Sequence, residues 1–275
     1  MTTPSCPVCG GHSPFVKTLA QATVFKCDSC GMVHAAGFEA RNTSTQVVDT
    51  KPEYFEGTIN SFEQQSAMAR HIVPKRLQHY QQILGRPVRK LLEIGPGSGA
   101  YAKAYAQSGM AYTAVEIEPS VGAETQARTG LDIRVGDFLT LDVGEGYDVV
   151  FASQVFEHIL NPSVFLKRAR DMAAGGLLHI DVPNHDSLVS QLRKRVSSRE
   201  YGFIQPPYHM LAYNKRSLTK VLERAGLSAI DVRAYANDDP VWGQLVTHPS
   251  AAVRLVFLAG KLTGLGSLLT ATARL

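Results

Sequence analysis

The sequence predicts an α/β protein in which a parallel sheet carries helices on both faces, preceded by a small cysteine-rich module. Three observations indicate this. Short apolar runs alternate with helical patterns through residues 88–275, which is typical of parallel sheets covered by helices. A glycine-rich turn follows the first run, and all 4 cysteines lie near the N-terminus. The 275 residues can form one large domain with a small appendage.

The composition narrows the class of protein. A hydrophobic content of 44% and a charged content of 19% are ordinary for a globular domain. The net charge of +4 is too small to indicate nucleic acid or an acidic ligand. The N-terminus lacks the basic and apolar regions of a secretory signal, and no run reaches the ~20 apolar residues that span a bilayer. We therefore expect a cytoplasmic protein without a membrane span.

The cysteine-rich module is expected to cover residues 1–36. Its cysteines form two Cys-x-x-Cys-Gly motifs, one at Cys6 and Cys9 and the other at Cys27 and Cys30. The two-residue gap lets both thiolates of a motif reach one ion, and the glycine allows the tight turn. Two disulfides would need an oxidising compartment, and a redox motif is not expected in duplicate. The spacing predicts a zinc ribbon with a structural Zn²⁺.

Residues 37–87 are expected to connect this module to the second domain. The first part is polar and lacks periodicity, as a linker does. Apolar residues at helical spacing then predict helices over residues 52–84. Gly85 fits the C-terminal cap of the last helix.

The second domain is expected to span residues 88–275. Five strands are predicted in this domain, at 88–94, 112–117, 131–135, 147–153 and 176–182, followed by a final hairpin of 227–235 and 268–274. One further strand, at 24–26, is predicted between the cysteine motifs. Helices are predicted at 101–108, 120–129, 163–174 and 215–224.

The first strand of the domain ends in Glu93 and continues into Gly95-Pro96-Gly97-Ser98-Gly99. Gly95 allows a tight turn, and Gly97 allows a ligand to approach the backbone closely. Gly99 is expected to let the next helix, whose N-terminus faces the ligand, sit near the strand.

This glycine loop alone does not define its ligand. With Glu116 about 20 residues further on, it also matches a dinucleotide site. Glu93 favours a different ligand, because its carboxylate can face the ammonium group of a bound amino acid.

Further acids follow the next two strands, at the edge where parallel sheets bind ligands. Glu116 ends the second strand beside Ile117 and can accept both hydroxyls of a ribose. Asp137 and Phe138 follow the third strand and offer an acceptor for an adenine amine beside a ring that can stack. The alternative for Asp137 is a turn residue. Glu118 is expected to face solvent.

These motifs, in this order, resemble the class I S-adenosylmethionine-dependent methyltransferases over about two thirds of the chain. The resemblance implies a Rossmann-like, seven-stranded sheet with S-adenosylmethionine as methyl donor. It implies that the glycine loop and Glu93 hold the methionine part, Glu116 the ribose and Asp137 with Phe138 the adenine. Ser153 and Gln154, after the fourth strand, would border the sulfonium. The matching runs are LLEIGPGSG, AVEIEP, GDF and YDVVFASQVFEHI.

A sulfonium is already activated, so such an enzyme must align a nucleophile and assist loss of its proton. Glu157 and His158, beyond the fourth strand, are candidates for this role. His209 is another, in a proline-containing loop within residues 183–214, the insertion that the resemblance implies carries acceptor specificity. The alternatives are structural: Glu157 and His158 would cap a helix and pack against the sheet, and His209 would tie its loop to the body.

Three functions remain open from the sequence. The zinc ribbon and core resemble bacterial methyltransferases of sugars, nucleotide sugars and natural products, which indicates a small-molecule acceptor. Sugar C-methyltransferases of this kind carry a further C-terminal domain that the sequence lacks, so we expect O-methylation. The alternatives are an RNA base methyltransferase of the zinc-containing ribosomal RNA type and a non-catalytic zinc-ribbon interaction protein. Nucleic acid is not the expected partner, and a homodimer through residues 241–263 is left open.

Overall fold

A computed structural model describes most of the chain. The described residues are 4–19, 22–36, 52–196, 200–206, 209–235, 255–256, 259–260 and 262–275, without the side chains of 52–61, 64, 196 and 235. The predicted linker and most of the segment 241–263 lie outside these residues. None of the described helices is long and apolar enough to cross a membrane.

Eleven strands and six helices are named in the described residues. The strands are β1 (Phe15–Thr18), β2 (Thr23–Lys26), β3 (Val33–Ala36), β4 (Lys90–Ile94), β5 (Ala111–Glu116), β6 (Ile133–Val135), β7 (Val149–Ser153), β8 (Leu177–Pro183), β9 (Leu211–Ala212), β10 (Ser228–Tyr235) and β11 (Leu268–Arg274). The helices are α1 (Pro52–Leu84), α2 (Ala100–Ala106), α3 (Pro119–Thr129), α4 (Pro162–Met172), α5 (Leu188–Val196) and α6 (Lys215–Arg224).

The main sheet has seven strands in the order β10-β11-β8-β7-β4-β5-β6. Its strands β4 to β8 pair in parallel, and β11 runs antiparallel to both β8 and β10. The chain extends the sheet outward from β4 to β5 and β6, then returns to place β7 on the other side of β4. This change of direction creates the crevice at which open α/β sheets bind ligands. The predicted seven-stranded sheet is confirmed.

Helices cover both faces of the sheet because neighbouring strand residues point to opposite sides. Leu91 and Phe151 are buried in a core cluster with residues of α1 and α2. Leu92 and Ala152, the next residues along each strand, are buried in a second cluster with residues of α4 and α6. The central strands are therefore apolar on both sides, which explains why they appear as continuous apolar runs in the sequence.

The cysteine-rich module contains more strands than the sequence predicted. In place of a single strand at 24–26, it contains three antiparallel strands, β1, β2 and β3. A fourth strand, β9, comes from the insertion and pairs with β3 through Val33 with Ala212 and His34 with Leu211. These strands are only 2 to 4 residues long, which is too short for an alternating pattern to predict them.

Asn214 links this module to the main domain. Its side chain caps α6 by accepting from the backbone N–H of Ser217 at 2.8 Å, and its Nδ2 donates to the carbonyl of Gly31 at 3.2 Å. A Cβ on Gly31 would lie 2.7 Å from that Nδ2. The glycine of the second cysteine motif therefore makes room for a contact across 183 residues of sequence.

A buried ion pair fixes α1 against the sheet. Arg76 of α1 donates to Asp181 of β8 at 2.7 Å, and both side chains are largely buried. His179 lies 3.3 Å from the other oxygen of Asp181. Burial alone would raise the pKa of Asp181, but the Arg76 guanidinium and His179 hold it well below its usual range.

We expect Asp181→Asn to lower the free energy of unfolding by about 3–5 kcal/mol, because it leaves the Arg76 guanidinium buried without its counter-charge. The folded-state pKa is depressed, so this stabilisation is present above the ordinary pKa of aspartate and is lost as pH falls below it. Urea unfolding at pH 7 and at acid pH measures both effects. Asp231→Asn, which breaks a surface pair with Arg233, is the control and should cost less than about 1 kcal/mol. Equal losses for the two variants would contradict this assignment.

Candidate functional site

A groove opens at the carboxyl ends of β4, β5 and β7 and beside the turn after β6. We call it the carboxyl-edge groove. It is lined by Ile94, Gly95, Gly97, Val115, Glu116, Ile117, Glu118, Val121, Gly136, Asp137, Phe138, Leu139, Gln154, Val155, His158, Ile159 and Phe165. Apolar walls around a few convergent polar groups are typical of small-molecule sites. Eight of the residues predicted to bind a cofactor or to act in catalysis are therefore brought together here.

The glycine loop forms one wall of the groove. Gly95 and Gly97 have φ angles of +67° and +52°, in the left-handed region that favours glycine. A Cβ on Gly95 would lie 2.6 Å from Val155, whereas the space beside Gly97 is open within 4 Å. The turn at Gly95 and the open approach at Gly97 match the predicted geometry.

The prediction that Gly99 lets the next helix sit near the strand was wrong. A Cβ there would lie 2.5 Å from Thr129 and 2.9 Å from Thr125, both in α3. Gly99 therefore lets the start of α2 pack against the next helix rather than against the strand. This contact joins segments that the sequence pattern does not relate.

Glu116 lies at the end of β5 on the floor of the groove and is only 7% exposed. The backbone N–H of Glu118 donates to its Oε1 at 3.2 Å, and the N–H groups of Gly97 and Ile117 also interact with the carboxylate. Burial nevertheless raises its pKa above the usual value. A carboxylate has about four acceptor positions, so a diol could bind it beside these donors.

Asp137 and Phe138 form the far end of the groove. Asp137 Oδ1 accepts from the backbone N–H of Leu139 at 2.9 Å, so the residue does stabilise a turn, as the structural alternative held. It also lines the groove. Phe138 is buried, with its ring 5.2 Å from that of Phe165. The two residues could border a flat heterocycle, and their contact with adenine remains a prediction.

Gln154 is held in a strained backbone conformation directly after β7. Its φ of +58° is one of only two positive values among the described non-glycine residues. Its N–H donates to the carbonyl of Asp181 at 2.8 Å, which fixes the turn over the groove. Such strain persists where the surrounding structure enforces it and is concentrated at functional sites.

Three predicted cofactor residues do not line the groove: Glu93, Gly99 and Ser153. Glu93 is buried behind the glycine loop, where Tyr112 donates to its Oε2 at 2.7 Å. Burial raises the pKa of Glu93 to about 7. Ser153 is the last residue of β7 and pairs with Asp181 of β8. Their contacts with a donor remain predictions.

The three predicted catalytic residues lie together at the β7 end of the groove. Glu157 and His158 belong to a short 3₁₀ turn, and the rings of His158 and His209 are 4.6 Å apart. One ligand atom from each of the three residues lies within 4.8 Å of the others. We call this set the Glu157–His158–His209 cluster. His158 also lines the carboxyl-edge groove, so the cluster faces the place where chemistry is expected.

Burial governs the electrostatics of this cluster. Glu157 is only 1% exposed, and burial raises its pKa to about 8. Burial also lowers the pKa of His209 to about 4. His209 Nδ1 lies 3.2 Å from the carbonyl of Phe203, a contact within its own loop rather than the tie to the body that the structural alternative expected.

Sequence reasoning missed several lining residues. Glu118, predicted to face solvent, is half-buried at the groove. Its Oε1 caps α3 by accepting from the Ser120 backbone N–H at 3.4 Å, and it also accepts from the Ser120 hydroxyl at 2.9 Å. Val155 and Ile159 are apolar wall residues without any motif to distinguish them. Of these residues, only Glu118 had a signal in the sequence. It precedes Pro119, and proline is common at the first helical position, so Glu118 could have been recognised as a helix cap.

The four cysteines fit a tetrahedral metal site. Sγ atoms of Cys9 and Cys27 are 3.4 Å apart, and Cys30 lies 3.6 Å from both Cys6 and Cys9. A disulfide would need about 2.05 Å, whereas four thiolates at ~2.3 Å from one Zn²⁺ lie roughly 3.8 Å apart. Burial raises the pKa of the Cys6 thiol to about 11, a cost that coordination to a cation would remove.

Comparison with known families assigns the chain to a class of protein. A family model described as a methyltransferase domain matches residues 64–232. The match covers more than half of the chain, which therefore belongs to this methyltransferase family. Its seven-stranded sheet is that of the class I S-adenosylmethionine-dependent methyltransferase fold, as the sequence resemblance implied.

Individual relatives match over shorter stretches. The ubiquinone biosynthesis O-methyltransferase of Azorhizobium caulinodans is 31% identical over 131 residues, which cover 45% of this chain and 49% of that protein. The protein of the same name from Caulobacter vibrioides is 28% identical over 127 residues, which cover 43% of this chain and 50% of that protein. The chain thus spans about half the length of these curated relatives.

Solved structures extend the likeness of the fold. A methyltransferase of Thermotoga maritima, described as a possible histamine N-methyltransferase, is 17% identical over 81% of this chain and 98% of its own, with a TM-score of 0.53. The plantazolicin methyltransferase BpumL, in complex with a monoazolic desmethylPZN analog and SAH, is 17% identical over 82% of this chain and 90% of its own, with a TM-score of 0.54. These identities show the shared fold alone.

Gly97→Ala provides a local test of the groove. We expect it to cost about 1–2 kcal/mol of stability from its positive φ, and to weaken S-adenosylhomocysteine binding at least about 10-fold, because the methyl group enters the groove. Gly130→Ala is the matched control, since Gly130 also has a positive φ and open space but caps α3 away from the groove. Calorimetric titration and thermal unfolding of both variants measure the two effects. Similar affinities would argue against ligand approach at Gly97.

Proposed function

We propose that the protein is an S-adenosylmethionine-dependent methyltransferase that methylates a hydroxyl of a small biosynthetic molecule. The observation that carries the proposal is the position of Glu116, buried on the floor of the carboxyl-edge groove beside the open backbone at Gly97. An acceptor-only side chain at the end of the second parallel strand is suited to a ribose diol.

The other groove residues complete the donor site in this proposal. Asp137 and Phe138 border the adenine, and Gln154 holds the turn beside the sulfonium. Glu93 lies behind the glycine loop, where its carboxylate helps to neutralise the methionine ammonium. Bound S-adenosylmethionine supplies an activated methyl group on a positively charged sulfur. The chain itself must orient the donor and exclude water from it.

The Glu157–His158–His209 cluster is assigned to the acceptor. It lies where the groove ends at His158, so an acceptor hydroxyl placed there would face the methyl group. The cluster binds this hydroxyl and assists the loss of its proton, as O-methylation requires. The insertion that carries His209 then shapes the remainder of the acceptor site.

Oxygen as the methylated atom is supported by two relatives whose printed names describe O-methyltransferases. A small acceptor is supported by the modest net charge of +4 and by a groove with apolar walls rather than a basic surface. We further propose that the four cysteines hold a structural Zn²⁺, because four protein thiolates leave no open position for catalysis.

The experiment that tests this function is incubation of the protein with isotopically labelled S-adenosylmethionine and a metabolite extract, followed by mass spectrometry. We expect label in a small molecule, on an oxygen, and none in a parallel RNA incubation. The Glu116→Ala protein is the control and should transfer no label. Label in RNA would instead support a base methyltransferase, and no transfer to either extract together with no donor binding would refute the proposal.

A further inference from the structure

Two groups of potential metal ligands occur among the described residues: the four cysteines and the Glu157–His158–His209 cluster. The second group brings one carboxylate and two imidazoles together from two separate segments of the chain. Hydrogen bonding alone does not explain the arrangement, because the side chain of one member has no hydrogen-bond partner within the described part of the chain.

Glu157 is the residue without a partner. Its side chain is 1% exposed, and neither carboxylate oxygen has a hydrogen-bond partner among the described residues. The hydroxyl of Tyr213, whose ring is stacked on Phe156, is likewise without one. A buried carboxylate is costly unless it is paired or coordinates a metal. The two buried carboxylate oxygens of Glu157 are therefore able to bind a cation.

His209 is oriented as metal-binding histidines are. Its Nδ1 lies 3.2 Å from the carbonyl oxygen of Phe203, so this nitrogen donates its proton and Nε2 keeps its lone pair. Histidines that bind metals characteristically donate the other N–H to a carbonyl or carboxylate, which fixes the tautomer. Two backbone hydrogen bonds between His209 and Gln205, of 3.0 and 3.1 Å, hold the loop in place.

From these observations we infer that Glu157, His158 and His209 form a binding site for a divalent transition-metal cation at the acceptor end of the groove. Two imidazoles and one carboxylate favour Zn²⁺, Fe²⁺, Co²⁺ or Mn²⁺ over Mg²⁺ and Ca²⁺. Ligands of one such ion lie roughly 3.0–4.2 Å apart. The ligand atoms here lie within 4.8 Å of one another, so small side-chain rotations would close the site.

The inference rests on the proposed function and specifies how the cluster treats the acceptor. Three protein ligands leave coordination positions open, and His158 directs them to the groove. An acceptor hydroxyl at such a position is more acidic and gives its proton to solvent. The oxygen lone pair then forms the new O–C bond as the C–S bond breaks, and the sulfur keeps that electron pair as a neutral thioether. The acceptor class is therefore a hydroxyl compound able to coordinate a metal.

The test is titration of Co²⁺, in the absence of oxygen, into protein that holds one Zn²⁺ per chain in the thiolate site, followed by absorption spectroscopy and calorimetry. We expect one added Co²⁺ per chain, with visible bands of a nitrogen and oxygen site and no intense thiolate-to-cobalt absorption. Glu157→Gln and His209→Gln should each weaken this binding at least about 10-fold. His71→Gln, which alters an exposed histidine of α1, is the matched control and should bind Co²⁺ as the parent does.

S-adenosylhomocysteine binding, measured on the same samples, separates the two proposals and reports on folding. Loss of Co²⁺ binding in both variants with donor binding retained would support the metal site. Equal Co²⁺ affinity in parent and variants, or Co²⁺ that enters only the thiolate site, would overturn it and leave the proposed function standing. Specific Co²⁺ binding in a protein that does not bind the donor would overturn the proposed function alone.

Discussion

Replacing Glu116 with alanine is expected to weaken S-adenosylhomocysteine binding by about 100-fold or more. Glu116 is 7% exposed at the end of β5, where it would accept both hydroxyls of the donor's ribose. Hydrogen bonds to a charged group contribute about 1.5–3 kcal/mol each, and 1.4 kcal/mol corresponds to about tenfold in affinity. Calorimetric titration of parent and variant measures the change.

The control for this prediction is Glu124→Gln, which removes a partly exposed carboxylate of α3 that pairs with Arg128 at 2.6 Å. It should leave donor affinity within about twofold, because Glu124 is not part of the groove lining and surface pairs contribute little. Thermal unfolding of each variant confirms that it is folded. Unchanged affinity in Glu116→Ala would place the ribose elsewhere.

Replacing Cys27 with serine is expected to abolish stoichiometric zinc and to lower the free energy of unfolding by at least about 3 kcal/mol. Structural zinc contributes about 10–16 kcal/mol of binding free energy in isolated zinc-finger peptides. Cys6, Cys27 and Cys30 are also buried in the same core cluster as Phe156 and Leu218. Loss of the ion should therefore loosen the contacts of the ribbon with the main domain. Metal analysis and chemical unfolding measure the two quantities.

This variant should affect the acceptor side more than the donor side. The ribbon contacts the main domain through β9 and Asn214, close in sequence to His209, whereas the carboxyl-edge groove is built from other elements. We expect donor binding within about threefold of the parent and turnover at least about 10-fold lower. His12→Ala, at an exposed side chain paired with Asp28, is the control. Full zinc content in Cys27→Ser would contradict the thiolate site.

The features that the sequence could predict depend on local patterns. The central strands are apolar on both faces, so they were recognisable as continuous runs such as the one that contains Leu91 and Leu92. The glycine loop and the acids after each strand were equally accessible, because parallel strands place their carboxyl ends along one edge. Knowing this edge was sufficient to predict that Glu116, Asp137 and His158 meet in one groove.

The features that escaped prediction depend on contacts between distant segments. Arg76 and Asp181 are 105 residues apart, and no sequence pattern relates the two. The two-residue strand β9 gains its partner only in the folded protein. The packing of Gly99 against α3 and the unsatisfied carboxylate of Glu157 are also products of tertiary structure. Sequence patterns identify which residues can do chemistry, whereas packing determines which of them are left without partners.

The most direct measurement of the donor assignment is a pair of calorimetric titrations of the native protein, one with S-adenosylhomocysteine and one with NAD. The glycine loop and its following acid are compatible with either ligand in sequence, and we propose the first. We predict that one S-adenosylhomocysteine binds per chain with micromolar affinity, and that NAD produces no binding heat. Binding of NAD without binding of S-adenosylhomocysteine would contradict the methyl-donor site.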